Sequence, residues 1–190
     1  MSKTAIIVLD IQTGIFDRIK DKIDGDQYLS KVSSTLASAR EAGVLVIQVT
    51  IGFRPSYADA SPRNNMIARI REAGLHKDTD ASVQLHPRLA SAAANDVHIM
   101  KRRVSAFHGT DLEVVLRSSG VEKIALAGIA TSGAVLSTCR QAFDMDYEVT
   151  ILADLCADPD AEVHDLLLKK VFLRQATVVD VEEWLAKLEK

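Results

Sequence analysis

Runs of apolar residues rich in Val and Ile recur along the chain at Thr4 to Leu9, Val44 to Val49, Val97 to Met100, Lys123 to Ala127 and Glu148 to Ala153, with a weaker sixth at Ala176 to Val179. They are apolar nearly throughout rather than alternating, which is the pattern of strands buried on both faces. The intervening stretches carry helical periodicity. Gln27 to Glu41 places Leu29, Val32, Leu36 and Ala39 on one face, and Gly43 stands just past its end, where a left-handed cap would be needed. Thr110 to Ser118, Val135 to Met145, Ala161 to Lys170 and Val181 to Leu188 read the same way. Parallel strands need crossovers, and helices supply them. The chain is therefore expected to fold as an α/β three-layer αβα sandwich with a mainly parallel six-stranded sheet.

With 190 residues, one domain over 1–190 suffices to bury a core. The interval from Ile51 to Asn95 breaks the alternation: it holds Pro55, Pro62 and Pro87, a short helical stretch at Asn65 to Glu72 and much polar loop. An excursion of this length usually lines a functional surface, so it is expected to wall a pocket. The net charge of −3, with both signs interspersed, lacks the basic face that nucleic acid requires, and a small-molecule partner is expected instead. No apolar run is long enough for a membrane span, and the residues before the first strand are too few for a signal peptide, so a cytoplasmic location is expected. Cys139 and Cys156 have neither CxxC nor metal-site spacing and read as reduced, buried thiols. His76, His86, His98, His108 and His164 show no HxH or HxxxH arrangement; no metal and no cofactor is expected.

In a doubly wound sheet, ligands sit beyond the carboxyl ends of the strands. Asp10 closes the first run, Lys101 closes the third, and the small-residue turn Gly128-Ile-Ala-Thr-Ser-Gly-Ala134 follows the fourth and leads into a helix. Backbone N–H groups in such a turn favour an anion. Each feature also has a plainer reading: Asp10 as a loop cap, Asp10 with Lys101 as a structural ion pair, and Thr131 or Ser132 as a helix N-cap. Lys101 beside Asp10 is expected to depress its carboxyl pKa.

Three segments in order, Asp10-Ile-Gln12, Lys101-Arg-Arg-Val-Ser105-Ala-Phe107-His-Gly-Thr110 and Gly128-Ile-Ala130-Thr131-Ser-Gly-Ala134, together resemble the isochorismatase-like (cysteine hydrolase) family. The segment Ile151 to Asp158, followed by His164, resembles the family's next strand and helix. The resemblance implies a hydrolase with an Asp, Lys and Cys triad, whose positions fall here on Asp10, Lys101 and Ala134. It implies an oxyanion hole at the Ala130 and Ala134 N–H groups, a cis peptide at Ile129-Ala130, and a homo-oligomer, dimer or tetramer.

Alanine carries no nucleophile, so the covalent thiol route is closed at position 134. Cys139 lies five residues further on, about 140° around a helix, and reads as packing. Hydrolysis without cysteine also occurs in the family, on vinyl ethers. Two readings follow: a hydrolase of a small metabolite's amide or vinyl-ether bond, or an inactive member that binds a small ligand or partner protein. Candidate substrate contacts are Gln12, Phe16, Phe107, Ile129 and Thr131. Arg54 and Arg63 on the long loop are candidates for a carboxylate, with solvated surface as the alternative, and Trp184 reads as core or subunit contact.

Overall fold

The computed structural model describes residues 3–188. Met1, Ser2, Glu189 and Lys190, which the 1–190 unit includes, lie outside the described residues. Strands β1 (Lys3–Leu9), β2 (Leu45–Ile51), β3 (Val97–Lys101), β4 (Val121–Ile129), β5 (Glu148–Ala157) and β6 (Thr177–Val179) form a six-stranded sheet in the order β3-β2-β1-β4-β5-β6. Every pairing is parallel. Helices are α1 (Thr13–Phe16), α2 (Gly25–Glu41), α3 (Asn65–Glu72), α4 (Pro87–Ala90), α5 (Leu112–Ser118), α6 (Leu136–Asp144), α7 (Ala161–Leu166) and α8 (Val181–Leu188).

The continuous apolar character of β1 follows from its position at the centre. Ala5, Ile7 and Leu9 pack into a cluster with Leu112, Leu116, Val135 and Cys139, whereas Ile6 and Val8 pack into the opposite one with Leu29, Val32, Leu36 and Trp184. Helix α2 starts on the Asp24 side chain, which accepts from the Gln27 N–H at 3.0 Å. It ends as expected at Gly43, with φ +71° and the Val44 N–H donating to Ala39 O at 2.9 Å.

Strand ends depart from the sequence expectation: β1 and β4 begin earlier, at Lys3 and Val121, β2 and β6 begin one residue later, and β2 to β5 run further at the carboxyl side. β2 reaches Ile51, β4 reaches Ile129, and β5 reaches Ala157 through a register shift between Leu126 and Gly128. Gly128 is a weak strand former, but once neighbouring strands are in place it pairs with Cys156 in the ladder. Two helices also open: Thr131–Val135 ahead of α6 and Leu167–Val171 after α7 are π-helical. Among the described residues, no helix is long and apolar enough to cross a membrane.

Candidate active site

The chain leaves β1 toward β2 on one side and enters β4 on the other, so the crevice above these strands is the topological switch point. Asp10 turns into it with φ +58°, a left-handed conformation that Asp tolerates better than most residues, and its N–H donates to Val49 O at 2.8 Å. Lys101 starts two strands away at the end of β3. Its long side chain passes the end of β2 and donates from Nζ to Asp10 Oδ2 at 2.7 Å. Both side chains are almost completely buried, at 1% exposure for Lys101 and 7% for Asp10.

Only one carboxylate oxygen is engaged. Asp10 Oδ1 is buried and has no hydrogen-bond partner among the described residues. Burial raises the Asp10 pKa above the ordinary carboxylate value, and the attraction and hydrogen bond of Lys101 oppose this less strongly. The sequence expectation of a depressed pKa is thus corrected, because the desolvation of a carboxylate in an apolar crevice outweighs one favourable charge.

Asp10 and Lys101 line a cavity of about 410 Å³ together with Ile129, Ala130, Gly133 and Ala134. This volume suits a small metabolite. The Ile129-Ala130 peptide is cis. The turn that follows is π-helical, with the Val135 N–H donating to Ala130 O at 3.3 Å, and first-turn N–H groups of this kind lack full intrahelical partners. The turn is held from behind: the Ser132 N–H donates to Asp158 Oδ2 at 2.8 Å, and Thr131 Oγ1 shares a hydrogen bond with His164 Nδ1 at 2.8 Å.

Of the expected substrate contacts, Ile129 lies in the cavity lining; Gln12, Phe16, Phe107 and Thr131 do not. Gln12 is fully buried, and its amide clamps Ile51 N–H and O and Val83 O at 2.6–2.9 Å, tying the end of β1 to β2 and the long loop. Phe16 packs edge-on against His86, Phe107 packs against Tyr147, and Thr131 is spent on His164. In each case a partner distant in sequence captured the side chain. Arg54 is paired with Asp59 at 3.2 Å, and neither Arg54 nor Arg63 borders the cavity. Arg102 bridges Asp59 and Asp78, each at 3.1 Å, and Arg103 donates to Asp59 O. The two arginines fasten the long loop.

That loop does wall the cavity, through Met66, Ile70 and His76, while Ile15, Arg18 and Ile19 close it from the segment after β1. Sequence reading missed these. The i, i+4 spacing of Ile15 and Ile19 was a usable signal; His76 offered none. Among the described residues there is no cluster of three or more His, Cys, Asp or Glu suited to a metal ion.

A family model described as "Isochorismatase domain" matches residues 4–183. This chain belongs to the isochorismatase family. Within the family it is 32% identical over 185 residues to the isochorismatase family protein YecD of Escherichia coli O157:H7, covering 97% of this chain and 96% of that protein. It is 31% identical over 206 residues to the ureidoacrylate amidohydrolase RutB of Agrobacterium fabrum, covering 96% and 84%. Its fold matches a cysteine hydrolase from Pseudomonas syringae pv. phaseolicola with a TM-score of 0.87, at 24% identity, covering 98% and 92%. The relatives so described are hydrolases, and the two thiols of this chain are free and buried. Burial pushes Cys139 up to about 11 and Cys156 up to about 12, and neither borders the cavity. A thiol reagent such as Ellman's reagent at pH 8 is expected to leave both unmodified in the native protein and to titrate both once the protein is unfolded in guanidinium; rapid native modification of either would contradict this burial.

Proposed function

We propose that this isochorismatase-family hydrolase cleaves the C–N amide or vinyl-ether bond of a small metabolite without cofactor, using Asp10 for proton transfer and Lys101 to hold it. One observation carries this reading: a buried carboxylate with one oxygen fixed by Lys101 and the other unpartnered at the edge of a cavity. A free lone pair in a dry site costs stability and is retained where it serves the reaction. For an amide, ionised Asp10 takes a proton from water, the resulting hydroxide adds to the carbonyl carbon, and the Ala130 and Ala134 N–H groups receive the oxyanion. Asp10 then returns the proton to the departing nitrogen. For a vinyl ether, protonated Asp10 supplies the proton to the double bond, water adds to the oxocarbenium carbon and returns a proton to Asp10, and the resulting hemiketal breaks its C–O bond to give a carbonyl and an alcohol. A carboxyl pKa raised by burial serves both roles better than an ordinary one.

The resemblance of amide-cleaving relatives such as RutB favours the amide branch. Ala134, at the position of the family cysteine, favours the rival reading of an inactive member that binds a ligand. An amide and vinyl-ether panel separates them. Asp10→Asn is expected to lower kcat/KM by at least about 100-fold on whichever substrate is turned over. The wild-type rate on an amide should fall with acidity through a pKa above the ordinary Asp value, since the base is lost as Asp10 gains its proton. Ala134→Cys should raise amide hydrolysis and render it sensitive to iodoacetamide. No turnover of any panel member by the wild type, together with new activity in Ala134→Cys, would select the inactive reading.

A further inference from the structure

The cavity holds two positively charged side chains and only one carboxylate. Lys101 is neutralised by Asp10 at 2.7 Å, but Arg18 borders the same space and forms no ion pair among the described residues. Beside it, His76 is 6% exposed, and its Nδ1 is buried without a hydrogen-bond partner. Burial first and then the Arg18 charge lower the His76 pKa from the ordinary imidazole value, with Asp80 opposing and Lys101 adding less. His76 is also held rigidly. Its φ is +57°, and its carbonyl accepts from the Phe53 N–H at 2.8 Å, so the loop runs alongside the chain just beyond β2.

Arg18, solvent-exposed and without an ion-pair partner among the described residues, and His76, whose buried Nδ1 has no hydrogen-bond partner, border one cavity; the guanidinium is a donor, and Nδ1 is a donor in the Nδ1–H tautomer. The remaining wall, including Ile15, Ile19, Ile70 and Val104, is aliphatic. We infer that Arg18 and His76 form the specificity site for a substrate carboxylate, selecting monoanionic substrates with an aliphatic body over their uncharged counterparts. Arg18 supplies the charge, and His76 donates from Nδ1–H in its neutral form. This deepens the hydrolase reading, because it gives the substrate an end to be held by while the scissile bond lies toward Asp10. It also moves the carboxylate-binding role from the loop arginines to a residue in the turn after α1.

The test is a binding measurement that needs no turnover. Calorimetric titration with 4-methylpentanoate and with 4-methylpentanamide compares a carboxylate and an amide on one aliphatic body. The wild type should bind the carboxylate at least about 10-fold more tightly, and added salt should weaken only that interaction. Arg18→Gln, at an exposed position, should abolish the preference while leaving amide affinity within about two-fold, and His76→Phe should reduce it in the same direction. Equal affinity for the two probes in the wild type, no binding of either, or a preference that survives Arg18→Gln would each overturn the assignment. A protein that shows the preference yet hydrolyses nothing keeps this inference and loses the catalytic one; hydrolysis of neutral amides without the preference does the reverse.

Discussion

Gly128→Ala is expected to cost more than about 4 kcal/mol, enough to remove much of the 5–15 kcal/mol that holds an ordinary domain together. A Cβ at this position would sit 2.1 Å from Leu9 O and 2.6 Å from Leu9 N, and both are backbone atoms of the central strand. Neither can yield without parting β1 from β4, which pair through Leu9 and Gly128. The φ of +128° adds conformational strain for any residue with a side chain. Gly43→Ala is the matched control. It too has a positive φ, +71°, yet nothing lies within 4 Å of its added Cβ, so only about 1 kcal/mol of backbone strain is expected. Urea denaturation of the two variants, compared at constant m, reads the difference directly. Equal midpoints would show that the close approach of β1 and β4 contributes nothing beyond the glycine backbone itself.

Lys101→Met is the second large effect. It leaves Asp10 buried without its counter-charge, for which about 3–5 kcal/mol is the usual cost. The penalty should depend on pH in a fixed direction. Asp10 already has a raised pKa in the folded protein, and losing Lys101 raises it further, so the folded state takes up a proton more readily than the unfolded one. Stability is then fully retained below the unfolded carboxyl pKa and is lost as pH rises through the folded value. The variant should accordingly be closest to wild type under acid conditions and furthest from it at pH 8. Asp10→Asn/Lys101→Met removes both charges and should recover most of the loss, because two neutral groups of similar size no longer require mutual compensation. Urea midpoints at pH 5.5 and pH 8 for the wild type, the single and the double variant test this. A deficit independent of pH, or a double variant no better than the single, would mean that Lys101 acts by packing alone.

The alternation of apolar runs and amphipathic stretches, the Gly43 cap and the placing of Asp10 and Lys101 at strand ends were legible because they rest on local periodicity and on a rule about parallel sheets. The lengthened ends of β2, β4 and β5 were not, since residues such as Gly128 and Cys156 join the ladder only when neighbouring strands offer partners. The π-helical turn at Thr131–Val135 was likewise invisible, because it is held by Asp158 and His164 from the next strand and helix.

At the site, residue type alone misled where partners decided the outcome. Gln12 and Phe16 follow Asp10 closely enough to suggest pocket contacts, but Ile51, Val83 and His86 claim them. Arg18 and His76 are undistinguished in the chain; they matter because folding places them beside one cavity with donors left over. The sign of the Asp10 shift belongs here too, since an adjacent lysine can be read from strand ends whereas the degree of dehydration cannot. Local pattern determined which strands exist and which charged residues end them, because backbone preference and apolar periodicity act over a few residues. Only the tertiary structure decided which side chains remain unpartnered and how dry their surroundings are, because hydrogen-bond competition and desolvation are set by atoms tens of residues away in the chain.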